Sequence, residues 1–117
     1  MISIEAIVRP ERINQVMAAL EQAGCKGFYY FNITGQGRQG GVEVFSGRGG
    51  QTVTRSSLPK TMIRTVVREN MKEKVIAAIV EAARSPGEGA IGDGKIFISR
   101  VEEAVRVRTG ERGESAL

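Results

Sequence analysis

Apolar and polar residues alternate along the first nine positions. Ile2, Ile4, Ala6 and Val8 fall on one face of an extended segment, with Ser3, Glu5, Ile7 and Arg9 on the other. The pattern predicts a strand over residues 1–9, well buried because Ile7 makes the second face partly apolar. The period then changes. Pro10 can open a helix without losing a needed N–H. Ile13, Val16, Met17 and Leu20 follow at helical spacing, and Gly24 offers a stop. Residues 27–34 concentrate Phe28, Tyr29, Tyr30, Phe31 and Ile33, a second strand by propensity. This cluster suits a strand core or a subunit contact; it would also serve as a base-stacking platform. Residues 61–68 predict a third strand, with Met62 and Val66 on one face and Ile63, Thr65 and Val67 on the other. Asn70 with Glu73 forms a capping-box pattern. Met71, Val75, Ile76, Ile79, Val80 and Ala83 then give a second amphipathic helix. Residues 95–99 predict a fourth strand and residues 101–103 a short link. Residues 104–109 alternate again, with Val105 and Val107 inward and Arg106 and Arg108 outward. Residues 112–117 read as a polar tail expected to fray.

The order β-α-β-β-α-β plus a short C-terminal strand is the ferredoxin-like arrangement of the α+β class. The 117 residues fit a single domain. Strand edges and a bare sheet face would need covering, which implies an oligomer. One segment stands outside this scheme. Residues 35–57 are rich in glycine and polar side chains, and a loop of that length in a small domain is expected to be functional or disordered. Its apolar positions Val42, Val44, Phe45 and Val53 suit docking onto a partner.

Composition narrows the chemistry. The chain has no histidine, which removes histidine acid–base catalysis and histidine metal sites. One cysteine, Cys25, excludes an internal disulfide framework and a thiolate zinc cluster. No apolar run approaches membrane-spanning length and no signal pattern opens the chain, so a cytoplasmic protein is expected. The net charge of +4 permits a polyanionic partner.

The segment Ile91-Gly92-Asp93-Gly94-Lys95-Ile96-Phe97 carries the sharpest candidate chemistry. Gly92 and Gly94 allow positive φ and close backbone approach. Successive N–H groups in such a turn can form an anion-binding nest, with Lys95 adding charge at its mouth. The same residues would also make a plain turn before a strand. The second basic element, Arg106-Val107-Arg108-Thr109-Gly110-Glu111, favours the phosphate reading. On a strand, Arg106 and Arg108 would stand roughly 6.6 Å apart on one face. With Arg38 and Lys95 they make four cations suited to a triphosphate. No nucleophile–base pair stands out, so a sensor is expected in place of an enzyme.

These two segments resemble the C-terminal signatures of the P-II nitrogen regulatory proteins. Ile4-Glu5-Ala6-Ile7-Val8-Arg9-Pro10 resembles the family's first strand, Gly35-Gln36-Gly37-Arg38-Gln39 the start of its long T-loop, and Leu58-Pro59-Lys60 the end of that loop. The resemblance places the T-loop at about 37–57, the B-loop at about 85–95 and a C-terminal region at 104–117. It implies a homotrimer with nucleotide sites in the clefts between subunits. ATP and ADP would compete there, and 2-oxoglutarate would bind with Mg-ATP. The T-loop would change shape and engage or release an enzyme or a transporter such as an ammonium channel, which would be the only link to a membrane. The implied nucleotide contacts are Ile7, Gly35, Gly37, Arg38, Gln39, Val66, Gly92, Asp93, Gly94, Lys95, Arg106 and Arg108. Gln39 would help coordinate Mg²⁺. Gln39, Gly40, Gly41 and Lys60 would hold 2-oxoglutarate.

The chain departs from the family pattern at several positions. Residues 41–57 contain no tyrosine, so uridylylation of the loop is not available. Glu88 stands where a Ser or Thr is usual, Tyr29 where a small hydroxyl residue is common near the adenine, and Gly40 where a lysine is common. Alternatives within the resemblance are a regulator of nitrogenase or of inorganic-carbon uptake using the same pocket. An RNA-binding module of the same topology is a further alternative, supported only by basic charge and the aromatic cluster; the P-II reading involves no nucleic acid.

Overall fold

The computed structural model describes residues 1–37 and 57–117, together with the backbone of two short strands at 42–45 and 52–55. Four strands form one antiparallel sheet: β1 (Ile2–Val8), β2 (Phe28–Gly35), β5 (Leu58–Val67) and β6 (Gly94–Arg100), in the order β2-β5-β1-β6. Helices α1 (Ile13–Gln22) and α2 (Lys72–Ala83) pack together against one face of it. This is the ferredoxin-like α+β sandwich.

The alternation in β1 builds the layer. Ile2, Ile4, Ala6 and Val8 are buried on the helix side, where they meet Val16 and Leu20 of α1, Val75, Ile79 and Ala83 of α2, and Ile63 and Val67 of β5. Each large aliphatic side chain buried this way contributes about 1.5–3 kcal/mol. The buried polar side chains are satisfied. Thr61 Oγ1 lies 3.2 Å from Asn32 Oδ1, Thr65 Oγ1 donates to the Gly27 carbonyl at 2.7 Å, and Ser3 Oγ accepts from Arg64 Nε at 2.8 Å.

The other sheet face carries no helix among the described residues. Register puts Tyr29 beside Arg64, Phe31 beside Met62, Met62 beside Ile7, and Phe97 beside Glu5 on that face. Tyr29, Phe31 and Phe97 are each about half exposed.

Several expectations need correction. The long segment is not strandless: β3 (Val42–Phe45) and β4 (Thr52–Arg55) pair antiparallel, separately from the main sheet. The side chains of Val42, Val44, Phe45 and Val53 lie outside the described residues. Asn70 does not cap α2. A 3-10 turn over Glu69–Met71 precedes that helix, whose N-cap is Met71 without a side-chain bond. The turn takes the place of the box because its backbone bond, Met71 N to Arg68 O, already starts the coil.

The C-terminal strand reduces to one bridge, Val105 with Arg112. Arg106 N donates to Glu111 O and Gly110 N to Arg106 O, so the chain turns back at Gly110, where φ is +73°. Val107 is consequently 99% exposed, not inward. Arg106, expected to point outward, is folded back by bonds to Glu111 Oε1 and the Ser115 carbonyl. The tail is not frayed, because Gly113–Ala116 forms a further 3-10 turn.

Candidate functional site

Antiparallel pairing brings four chain segments to one end of the sheet. Gly35 at the end of β2 faces Leu58 at the start of β5; Val8 at the end of β1 faces Thr61 and also Gly94 at the start of β6. The base of the long loop, Lys60 and the glycine turn therefore meet.

Within this cluster the turn at 89–94 is fixed by named bonds. Asp93 is its staple. Its carboxylate accepts from the Ser85 amide at 2.9 Å, the Ser85 hydroxyl, the Ala90 amide at 2.8 Å and Arg9 Nε at 3.2 Å. Burial alone would raise the pKa of this carboxyl. The Ser85 hydroxyl and amide, the Ala90 amide and the Arg9 guanidinium outweigh that and hold it well below the usual carboxylate range. Arg9 Nη2 also donates to the Ile91 carbonyl at 3.0 Å, and Lys60 Nζ to the Gly92 carbonyl at 2.7 Å. Burial, then the neighbouring Arg9 charge, lowers the Lys60 pKa. At Gly94, φ is +135° and a Cβ would fall 2.1 Å from the Ile7 carbonyl oxygen, so only glycine lets β6 start this close to β1.

Among the residues expected to bind, the structure brings together Ile7, Gly35, Lys60, Gly92, Asp93, Gly94 and Lys95 at this end. Ile7 and Lys95 are direct cross-strand partners on the open face. Gly37 follows the end of β2 by two residues. Arg38, Gln39, Gly40 and Gly41 lie outside the described residues.

Val66 is elsewhere. It pairs with Ser3, whereas Ile7 pairs with Met62, so Val66 and Ile7 are four positions apart along the sheet. That offset is roughly 13 Å. Val66 instead borders a groove of about 720 Å³ with Gly27, Tyr29, Arg64 and Leu117. Arg106 belongs near that end, since its Nη2 lies 3.4 Å from the Leu117 carbonyl oxygen. Arg108 is exposed and makes no bond among the described residues. A second groove of about 690 Å³ runs between α2 and β6; Ile76, Ile79, Val80, Ile96 and Ile98 form its aliphatic wall, and the turn from Gly89 to Lys95 closes one end of it.

The chain is similar in sequence to known proteins along its whole length. Residues 1–111 match the family described as Nitrogen regulatory protein P-II. The chain belongs to the P-II family. It is 46% identical to Nitrogen regulatory protein P-II 2 of Methanothermobacter thermautotrophicus, covering all of this chain and 97% of that protein. It is 43% identical to Nitrogen regulatory protein P-II of Rhodobacter capsulatus over the full length of both. A P-II homolog of Arabidopsis thaliana is 44% identical over 97% of this chain and 56% of its own length. The P-II resemblance drawn from the signature segments is thereby established, as is the ferredoxin-like fold.

The sequence reasoning missed Arg9 and Ser85. Arg9 ends a buried strand immediately before Pro10, and a cation in that place had a readable local signal. Ser85 had none, since its partner lies across a turn whose path only the folded chain defines. Among the described residues no cluster of His, Cys, Asp and Glu could hold a metal by itself, and no helix is long and apolar enough to cross a membrane.

Proposed function

We propose that this chain is a P-II signal-transduction regulator of nitrogen metabolism that senses ATP, ADP and 2-oxoglutarate and acts through its long loop on a target protein. The observation that carries the reading is the P-II match over residues 1–111. The turn at 89–94 supports it physically. Its carbonyls are engaged inside the protein, and Lys95 adds a positive charge beside it. The phosphates would lie against the backbone of Gly92, Asp93 and Gly94, with Lys95 neutralising charge.

The separation of Ile7 from Val66 bears on assembly. One adenine cannot reach both within a protomer, so a pocket using both takes Ile7 from one copy and Val66 from the next. Arg106 and Arg108 would enter from the copy that supplies Val66. A homotrimer with clefts between subunits meets this requirement, and its contacts would cover the open sheet face. Mg²⁺ would arrive with the nucleotide, and one or two protein ligands suffice for a metal held through phosphates. Gln39 is the residue proposed for it.

Signalling then works by population shift: each effector favours the loop state it binds better. Lys60 is at the junction, on the strand that ends the loop and bonded to the Gly92 carbonyl. A 2-oxoglutarate carboxylate would compete for that ammonium and so link the loop to the glycine turn. The role is regulatory, not catalytic.

Isothermal titration of the full chain tests the reading. ATP and ADP should each give saturable heat and displace one another, and 2-oxoglutarate should bind only with Mg-ATP present. No heat with either nucleotide at high micromolar concentration would end the proposal.

A further inference from the structure

Three successive carbonyl oxygens of the glycine turn are engaged from within the protein. The Ala90 oxygen accepts from the Asp93 amide at 3.1 Å, the Ile91 oxygen from Arg9 Nη2 at 3.0 Å, and the Gly92 oxygen from Lys60 Nζ at 2.7 Å. In a trans peptide the C=O and the following N–H point in opposite directions. Fixing the Ala90 oxygen on the Asp93 amide and the Ile91 oxygen on Arg9 therefore turns the Ile91 and Gly92 N–H groups away from those partners. Among the described residues those two amides donate to nothing.

Arg9 is central to this arrangement because it grips the turn twice, at the Ile91 carbonyl and at the Asp93 carboxylate. Asp93 in turn collects the Ser85 and Ala90 donors and so fixes where Arg9 can lie. Both side chains are about four-fifths buried.

We infer that Arg9 and the Asp93 side chain are positioning residues: Arg9 holds the Ile91 carbonyl, the Asp93 carboxylate holds Arg9 and the Ala90 amide, and together they aim the Ile91 and Gly92 amides at the phosphate tail of the ligand, without touching it. This rests on the nucleotide reading above and deepens it, since it assigns these two side chains to the polyphosphate and not to the base. A clamp of this kind differs from a general structural brace in one respect. Its loss should weaken ligands in proportion to their phosphates, while a brace should affect adenosine and ATP alike.

The test uses the full-length chain, with ATP followed by calorimetry and adenosine by competition. Arg9→Met should lose about tenfold or more in ATP affinity, the scale expected when a charge-assisted hydrogen-bond pair is removed. Adenosine affinity should stay within about twofold, because its contacts involve no phosphate. Arg9→Lys, which keeps one donor, should recover part of the loss. Ser85→Ala removes one bond to Asp93 and no charge, and should show the same selectivity with a smaller loss in a folded protein. Unchanged ATP affinity in both Arg9→Met and Ser85→Ala, or parallel loss of ATP and adenosine, would overturn the inference while leaving the nucleotide site standing. An unsubstituted chain that bound no ATP would overturn both.

Discussion

At the scale of single residues, Asp93 is the most consequential side chain described here. It was expected to serve the ligand through its backbone, and its carboxylate proves to be the knot of the turn. The Asp93 pKa lies below the ordinary value of 3.8 in the folded protein. Folding therefore favours the ionised form. The stabilisation is full above the unfolded value and is lost as pH falls through the folded one. Asp93→Asn should be less stable than the parent by about 1–3 kcal/mol at neutral pH. The gap should narrow once pH drops below about 4. Urea midpoints for both proteins at pH 7 and pH 3 measure this; a gap independent of pH would refute it.

At the scale of elements, two kinds of segment behave differently. Strand β1 and helices α1 and α2 follow their periodicity because each has one face to bury, and that face finds the same core. Among the described residues, strands β3 and β4 pair with each other in a sheet separate from the main one. Replacing residues 38–56 by a short Gly/Ser linker should thus shift Tm by only a few degrees, since the described core cluster is built from the rest of the chain. The same replacement should abolish capture of the target. Thermal melts and a pull-down with the parent chain as control check the two halves. Large destabilisation would mean that the hairpin braces the sheet.

At the scale of the whole molecule, the open sheet face is the feature a lone protomer leaves unexplained. Ile7, Phe31, Met62 and Phe97 share it, and Phe97 is 51% exposed. An apolar sheet face of this kind marks an interaction surface. Under the proposed trimer, Phe97→Lys places an ammonium in an apolar contact, so the assembly should fall to monomers. Light scattering on the eluted protein reads the mass directly. A variant that remained trimeric would place the contact elsewhere.

The sequence alone determined the sheet-and-helix order, because burying one face imposes a period that can be counted. It also determined the family, since the signature segments 91–97 and 106–111 are local strings. The tertiary structure decided what those strings do in space. It gave Arg9 and Ser85 their roles through partners up to 84 positions away. It turned Val107 outward through a bend closed by Glu111. It also separated Val66 from Ile7 by a strand register that no local pattern encodes. Periodicity records which face of an element is buried; it does not record which polar atoms of distant segments will meet, and the site is made of those meetings.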